Sequence, residues 1–168
     1  IDIRNYNALD KIFKKYSKSI SIIIHCAAQP SHDYGKNFPF LDFNINATGT
    51  LNLLELTKKY CSNSPFIFMS TNKVYGDNPN KLKLFEKKTR WELKKNDKNF
   101  RGIKENFPID NAIHSFFGVS KTYADLIVQE YGKNVGLKTD WFRRGWITGP
   151  NHSGASLHGF LSFLVRSS

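Results

Sequence analysis

The 168-residue sequence is poor in cysteine, in acidic residues and in long apolar runs. Its two cysteines, Cys26 and Cys61, are too few for a disulfide framework and lack zinc-site spacing, so a reduced, cytoplasmic setting is expected. No apolar run reaches the roughly 20 residues that a membrane-spanning helix needs. No basic segment followed by an apolar one marks a signal peptide, and the first residue is Ile1 rather than Met. We therefore expect no membrane partner and a natural N-terminus upstream of Ile1.

The scarcity of acidic residues leaves the chain strongly basic, with 14 Asp and Glu against 25 Lys and Arg and a net charge of +11. Such a balance can indicate a nucleic-acid partner. However, 19 of the 25 basic residues are Lys, whereas base readout relies on Arg. The excess is also local, because residues 81–105 hold ten basic and four acidic residues. We interpret it as a solvated surface and expect no nucleic-acid partner.

Alternating helical and apolar strand patterns predict an α/β fold. Amphipathic helices are predicted over residues 5–18, 42–60 and 115–135, and short apolar strands over 20–26, 65–69 and 137–143. Residues 30–37 have a loop-like composition, residues 78–111 form a polar excursion, and residues 154–165 a further helix. Strands of this kind are typical of a parallel sheet that is covered by helices on both faces. Ligands of such sheets bind beyond the carboxyl ends of the strands, here residues 26–29, 70–72 and 144–146.

The histidines show no spacing typical of metal ligands, and we expect no metal site. His25, within a predicted strand, is interpreted as a hydrogen-bonded histidine of the core or the rim.

Four segments carry a resemblance to a known family. They read DIR at residues 2–4, HCAAQ at 25–29, NATGTLNLLE at 46–55 and STNKVYG at 70–76. In this order they resemble the extended short-chain dehydrogenase/reductase family of NAD-dependent nucleotide-sugar epimerases and dehydratases. The run at residues 71–77 looks most like the CDP-paratose (CDP-tyvelose) 2-epimerase branch, and Asn72, in place of an acidic residue, disfavours the dehydratase pattern.

The resemblance implies a Rossmann-like, doubly wound parallel sheet that is incomplete in this chain. The family's glycine-rich phosphate loop belongs to a first βαβ unit, and no G-x-x-G-x-x-G pattern is present. Residues 1–150 are expected to form the central and C-terminal part of an NAD(P)-binding domain, and residues 151–168 the start of a substrate-binding region. A C-terminal substrate domain is expected to follow.

The resemblance also implies an activity, which is epimerisation of a nucleotide-sugar by transient hydride transfer at a sugar carbon. NAD is the expected cofactor, with NADP left open, and the expected partners are the nucleotide-sugar and a second copy in a homodimer. The implied catalytic positions are Thr71, Lys121 and Phe117, the last at the place of the family tyrosine. The implied cofactor-binding residues are Asp2, Ile3, Ala27, Ala28, Gln29, Ser70, Lys121, Arg144, Gly145, Trp146 and Ile147. The implied substrate-binding residues are Thr71, Asn72, Lys73 and His158.

Phe117 is the main departure from the family pattern. The family carries Tyr-x-x-x-Lys on one helix face, where the lysine lowers the pKa of the phenol that transfers the proton. Here the motif reads Phe117 to Lys121, and a benzene ring has no titratable proton. The protein is therefore a binding-only relative that lost its chemistry, a subgroup with another proton relay, or an engineered trap. The candidates for another relay are Thr71, His32, Asp33 and Tyr75. Retention of Lys121 favours retained cofactor binding and chemistry.

Overall fold

The computed structural model describes residues 1–145, 147, 149, 152 and 159–167, which form a parallel sheet packed against helices. The strands are β1 (Ile23–His25), β2 (Phe66–Phe68), β3 (Leu84–Glu86), β4 (Trp91–Leu93) and β5 (Thr139–Trp141). The helices are α1 (Tyr6–Tyr16), α2 (His32–Asn37), α3 (Pro39–Phe43), α4 (Gly49–Tyr60), α5 (Phe116–Lys133) and α6 (Phe160–Ser167). The predicted α/β class with a parallel sheet is confirmed.

The parallel sheet has the order β1-β2-β5. The chain between β1 and β2 contains helices α2, α3 and α4, and the chain between β2 and β5 contains the excursion and helix α5. Alternate side chains of a strand point to opposite faces, so the register places Ile23, Phe66 and Thr139 on one face. His25, Phe68 and Trp141 lie on that same face. Phe66 and Phe68 are fully buried there, and burial of each ring is worth about 1.5–3 kcal/mol.

The hydrophobic core of the described residues lies between this face of the sheet and helices α1, α4 and α5. Helix α1 contributes Leu9 and Phe13, which recur at helical spacing. The other helical members are Leu53, Leu54 and Leu56 of α4 and Ala124, Val128 and Tyr131 of α5. The helices predicted over residues 5–18, 42–60 and 115–135 are therefore confirmed. The middle one is continued backwards by a π-helical turn (Asn44–Thr48) and by α3.

Two local predictions are wrong. The first strand was expected to be covered on both faces, but Ile24 is 59% exposed, because the described helices cover only the face that carries Ile23 and His25. Residues 30–37 were expected to be a loop, but residues 32–37 form helix α2. The signal for α2 is the capping residue Ser31, whose side chain accepts a hydrogen bond from the Tyr34 amide.

The polar excursion stands apart from the parallel sheet. Its strands β3 and β4 form an antiparallel pair, and all three residues of β3 are exposed. The base of the excursion is closed by Asn78, whose side chain donates to the carbonyls of Pro108 and Asp110. In the tail, residues 154–158 lie outside the described residues, and α6 begins at Phe160. Among the described residues, no helix combines the length and the apolar character needed to cross a membrane.

His25 ties strand β1 to helix α4. Its side chain is buried, with Nε2 at 2.9 Å from Thr50 Oγ1. Because the Thr50 hydroxyl donates to the Asn46 carbonyl, its oxygen accepts from His25 and Nε2 carries the proton. Burial, with a smaller contribution from the Lys121 charge, lowers the pKa of His25 to about 3. The interpretation of His25 as a hydrogen-bonded core residue is confirmed.

The depressed pKa of His25 predicts an acid-sensitive fold. Between its ordinary value of 6.5 and about 3, the unfolded chain binds a proton that the folded chain does not, so stability falls as the pH falls. We expect the free energy of unfolding to drop by about 2 kcal/mol from pH 7 to pH 5 through this residue. Urea titrations of the natural protein and of His25→Gln measure it. In His25→Gln the free energy of unfolding should fall less between pH 7 and pH 5 than in the natural protein. An equal fall in both proteins contradicts a lowered pKa of His25.

Candidate functional site

The carboxyl ends of β1, β2 and β5 meet at one edge of the sheet. The Met69 amide donates to the His25 carbonyl at 3.1 Å, which joins the ends of β1 and β2. The Asn72 amide donates to the Arg144 carbonyl at 2.9 Å, and Thr71 pairs with Arg144 in a parallel bridge, which joins the ends of β2 and β5. The described strand-end residues that the sequence singled out, 26–29, 70–72, 144 and 145, therefore form one continuous rim, with the N-terminal half of α5 beside it.

Lys121 reaches the rim from helix α5. Its side chain is buried, and Nζ donates to the Met69 carbonyl at 2.9 Å and lies 4.1 Å from the centre of the Phe68 ring. Burial lowers the pKa of Lys121 to about 8, although the nearby groups of Asp125, Cys26 and Asp42 favour the charged form. Contacts within the described residues occupy one of its three N–H donors. The structure thus places a cation with unused donors at Met69, two residues before Thr71.

Thr71 has a structural role as well as a place on the rim. Its hydroxyl accepts from the Lys73 amide and donates to Asn72 Oδ1, both at 3.3 Å, so it begins the 3₁₀ turn Asn72–Tyr75. The side chain is half-buried, whereas Asn72 and Lys73 are exposed. These long contacts leave the hydroxyl able to bind a ligand oxygen.

Phe117 lies one helical turn before Lys121 and is 7% exposed. Its ring meets the His32 imidazole edge to face, with 5.1 Å between centroids. Helix α5 begins at this point because the Ser115 hydroxyl accepts from the Gly118 amide at 3.0 Å. Gly118 also lets α5 approach the rim, since a Cβ there would lie 3.2 Å from the Lys73 carbonyl oxygen.

A buried carboxylate, Asp42, connects the end of β1 to helix α5. It accepts from Gln29 Nε2 at 2.6 Å and from the Ser120 hydroxyl at 2.5 Å. Asn46 closes the network, because its side chain accepts from the Gln29 amide and donates to the Gln29 carbonyl. The Gln29 side chain, which was expected to bind cofactor, therefore holds the loop after β1 in place.

A second buried carboxylate, Asp125, connects α5 to the ends of β2 and β5. It accepts from the Ser70 hydroxyl at 2.5 Å and from Arg143 Nη2 at 2.7 Å. The Ser70 side chain, also expected at the cofactor, is thus directed at Asp125. Arg143 further donates to the Glu105 carbonyl and stacks over the Tyr75 ring, so it ties the excursion to the rim. Sequence reasoning missed Asp42, Asp125 and Arg143, although a carboxylate among the apolar residues of a helix was an available signal for Asp125.

The remaining predicted residues lie around this rim or away from it. Ala27, Ala28, Arg144, Gly145 and Ile147 are exposed at or beyond the strand ends, and Trp146 and His158 lie outside the described residues. Asp2 is paired with Arg4, which lowers the pKa of Asp2 to about 2. Ile3 packs over Gly49 of α4, so close that a Cβ on Gly49 would lie 2.5 Å from its Cδ1. No hydrogen bond or ion pair among the described residues joins Asp2 or Ile3 to Lys121. The part of the chain that is described also contains no cluster of three or more metal-ligating side chains.

Comparisons with known proteins agree with the family resemblance. The model of the family described as "NAD dependent epimerase/dehydratase family" matches residues 1–167. CDP-paratose 2-epimerase of Salmonella typhi is 38% identical over 148 residues, which are 88% of this chain and 41% of that protein. UDP-glucose 4-epimerase of Thermus thermophilus, solved in complex with NAD, superposes with a TM-score of 0.68 at 26% identity, over 91% of this chain and 42% of that one.

dTDP-glucose 4,6-dehydratase of Bacillus anthracis str. Ames, also solved in complex with NAD, gives a TM-score of 0.61 at 27% identity over 89% of this chain and 38% of that one. This chain thus spans about two fifths of the length of these relatives. The expected cofactor, NAD, is the one in the family's description. The chain belongs to the NAD dependent epimerase/dehydratase family.

Proposed function

We propose that this protein is an NAD-dependent nucleotide-sugar epimerase that acts by transient hydride transfer at a sugar carbon. The observation that carries the proposal is the buried Lys121 ammonium, held by the Met69 carbonyl at the end of β2, two residues before Thr71. Its support among relatives is the 38% identity to CDP-paratose 2-epimerase. NADP stays open as an alternative cofactor, and a homodimer stays a prediction.

The residues of the rim fit a dinucleotide. Lys121 carries N–H donors that no described side chain uses, which suits the hydroxyls of a ribose. Ala27 and Ala28 follow β1 with only methyl groups, and both are exposed, so a flat ring system can approach the backbone there. When bound, NAD supplies the oxidant, because it accepts a hydride from the sugar carbon and returns it to the opposite face.

Each side chain of the rim has a separate task in this proposal. Lys121 binds the ribose and contributes positive charge. The Thr71 hydroxyl binds the reacting sugar oxygen and orients it. Asn72 and Lys73, exposed beside Thr71, contact the nucleotide-sugar. Asp42 and Asp125 touch neither ligand, but they fix α5 against the strand ends and so fix where Lys121 stands.

A second candidate function is non-catalytic binding of a dinucleotide or nucleotide-sugar. The observation that favours it is Phe117, which the family resemblance aligns with the proton-transferring tyrosine; its ring is buried and packs against His32. A protein of this kind would keep the Lys121 contact and lack turnover.

The proposal predicts that the protein, purified as its gene encodes it, carries NAD or binds it. We expect mass spectrometry and fluorescence after denaturation to find NAD(H) in stoichiometric amount, or added NAD to bind at micromolar to millimolar concentration. If the protein carries no NAD(H) and does not bind added NAD, binding of this dinucleotide is contradicted for both candidate functions.

The lowered pKa of Lys121 predicts that NAD binding weakens at alkaline pH. The ammonium is charged below about 8 and neutral above it, and a hydrogen bond from a charged group is worth about 1.5–3 kcal/mol. Calorimetric titration at pH 7 and at pH 9.5 should show NAD affinity falling roughly tenfold. In Lys121→Met the affinity should be low and independent of pH, while Lys133→Met, at the exposed end of α5, serves as the control. A natural protein with equal affinity at both pH values contradicts this role.

Substitutions at two positions separate the enzyme from the binding protein. With CDP-paratose and UDP-glucose as substrates, we expect turnover by the natural protein and a loss of about 10–100-fold in Thr71→Val, since one oriented hydrogen bond is removed. The affinity of Thr71→Val for NAD should be unchanged. Turnover that arises only after Phe117→Tyr would favour the non-catalytic candidate instead.

A further inference from the structure

The polar excursion contains a cavity that the proposed function does not use. Its volume is about 440 Å³, within the range of about 300–1,000 Å³ that is typical of small-molecule sites. None of the residues that line it belongs to the strand-end rim, and its basic side chains are Lys95, Lys98, Arg101 and Lys104. We propose that this cavity binds a small molecule that carries a pyrophosphate group and an aromatic ring, such as a nucleoside diphosphate.

The positive charge at the cavity is not matched by ion pairs. Nearer the start of the excursion the charges are matched, because Glu92 pairs with both Lys87 and Arg90, and Lys81 pairs with Asp77. In the part of the chain that the structure describes, none of the four basic side chains at the cavity has an ion-pair or hydrogen-bond partner. Like charges this close in the chain repel one another, so an anion between them is stabilised.

The two carboxylates that line the cavity do not cancel this charge. Asp97 Oδ1 accepts from the Asn99 amide at 2.7 Å and so serves the local turn. Glu105 is exposed. Four cations against two carboxylates leave a net charge of +2 on the lining, which complements a pyrophosphate group. Arg101 also brings a planar guanidinium, whose paired N–H groups match two phosphate oxygens.

An apolar wall gives the cavity a surface for a ring. Phe100 is partly buried, and Ile103 is 37% exposed. The Phe100 amide donates to the Asp97 carbonyl at 3.0 Å, and the Gly102 amide donates to the Asn99 carbonyl at 2.8 Å, so successive turns hold this wall. A flat ring system can stack on the Phe100 ring while its phosphates meet the cations.

The last two residues of the lining are anchored to the folded core. The Lys104 carbonyl accepts from the Tyr75 hydroxyl at 3.3 Å, and the Glu105 carbonyl accepts from Arg143 Nη1 at 2.5 Å. Tyr75 is buried, and Arg143 is ion-paired with the buried Asp125. One side of the cavity is therefore held in place before a ligand arrives, which lowers the entropy lost on binding.

A small molecule fits this site better than a nucleic acid does. Single-stranded nucleic acids bind along extended basic grooves on which several bases stack on aromatic side chains. Among the described residues, the lining of this cavity contains one aromatic ring, Phe100, and its four cations lie within ten positions of the chain. This arrangement matches one short, highly charged anion with one ring.

The test maps binding residue by residue in the purified protein, as its gene encodes it. The probes are inorganic pyrophosphate and CDP, and mass spectrometry follows the acetylation of each lysine by acetic anhydride. We expect either probe to slow acetylation of Lys95 and Lys98 at least about threefold, because a bound anion engages their ammonium groups. Lys11 and Lys14, exposed on α1, should react at unchanged rates. Unchanged rates at Lys95 and Lys98 overturn the proposal.

Variants show whether the cavity or the net charge is responsible. The midpoint of Lys95 protection by pyrophosphate should rise about tenfold or more in the double variant Lys98→Gln, Arg101→Gln, since two charged donors are lost. The matched control Lys11→Gln, Lys14→Gln removes the same charge from α1 and should move the midpoint less than about twofold. Equal effects of the two double variants overturn the site.

The ring contact has its own variant. Phe100→Leu should raise the midpoint of Lys95 protection by CDP roughly three- to tenfold, since one aromatic contact is lost, and leave that by pyrophosphate unchanged. A CDP midpoint that does not rise in Phe100→Leu contradicts the ring part of the proposal.

Further arms identify the source of the pyrophosphate. Protection of Lys95 by NAD or UDP-glucose at the concentration at which CDP protects identifies a ligand of the proposed reaction, and protection by CDP alone identifies a free nucleotide; both support the site. A single-stranded DNA that protects more tightly than CDP, and protects Lys83 and Lys88 as well, identifies a nucleic-acid surface and overturns it. Absence of NAD binding and turnover contradicts the proposed function and leaves this inference standing.

Discussion

The contact between the Lys121 ammonium and the Met69 carbonyl is the constraint on which the rest of the site depends. A buried ammonium is costly, since burial disfavours the charged form. Here the cost is partly offset by the Phe68 ring beneath it and by the carboxylates of Asp125 and Asp42. A lysine held this way cannot swing into solvent, so its remaining donors point from one fixed place beside the ends of β1 and β2.

Two carboxylates on either side of Lys121 keep that place fixed. Asp42 connects Ser120 of α5 to the loop after β1, and Asp125 connects the next turn of α5 to Ser70 and Arg143. Removing a partner from such a buried network is expensive, because it leaves a charge or a donor unpaired. The networks therefore fix helix against sheet, and the groups proposed to meet ligands, Lys121 and Thr71, lie beside them.

The sequence predicts the framework well and the side-chain networks poorly. The spacing of Leu9 and Phe13 identifies α1, and the apolar run around Phe66 and Phe68 identifies β2, because periodicity reports burial directly. The role of Gln29 could not be read in this way. Whether an amide binds a ligand or holds its own loop depends on Asp42, 13 residues further on, and only the folded chain brings the two together.

Ile24 and α2 show two other limits of sequence reasoning. The apolar sequence of a strand does not indicate which of its two faces the helices of this chain cover. In β1 the face that carries Ile24 is exposed. The composition around Gly35 is typical of a loop, yet the Ser31 cap and the packing of Gly35 on α5 make a short helix there. That helix brings His32 into contact with Phe117. The two residues are 85 positions apart in the sequence, so the sequence alone does not show that they are neighbours.

The most direct measurement of the central claim is a crystal structure of the protein, as its gene encodes it, with NAD bound. The account predicts that Lys121 Nζ keeps the Met69 carbonyl and lies within about 3 Å of a hydroxyl of the nicotinamide ribose. It also predicts that the nicotinamide ring faces Thr71. A bound NAD whose ribose contacts other side chains, with Lys121 at its present contacts alone, would contradict the account.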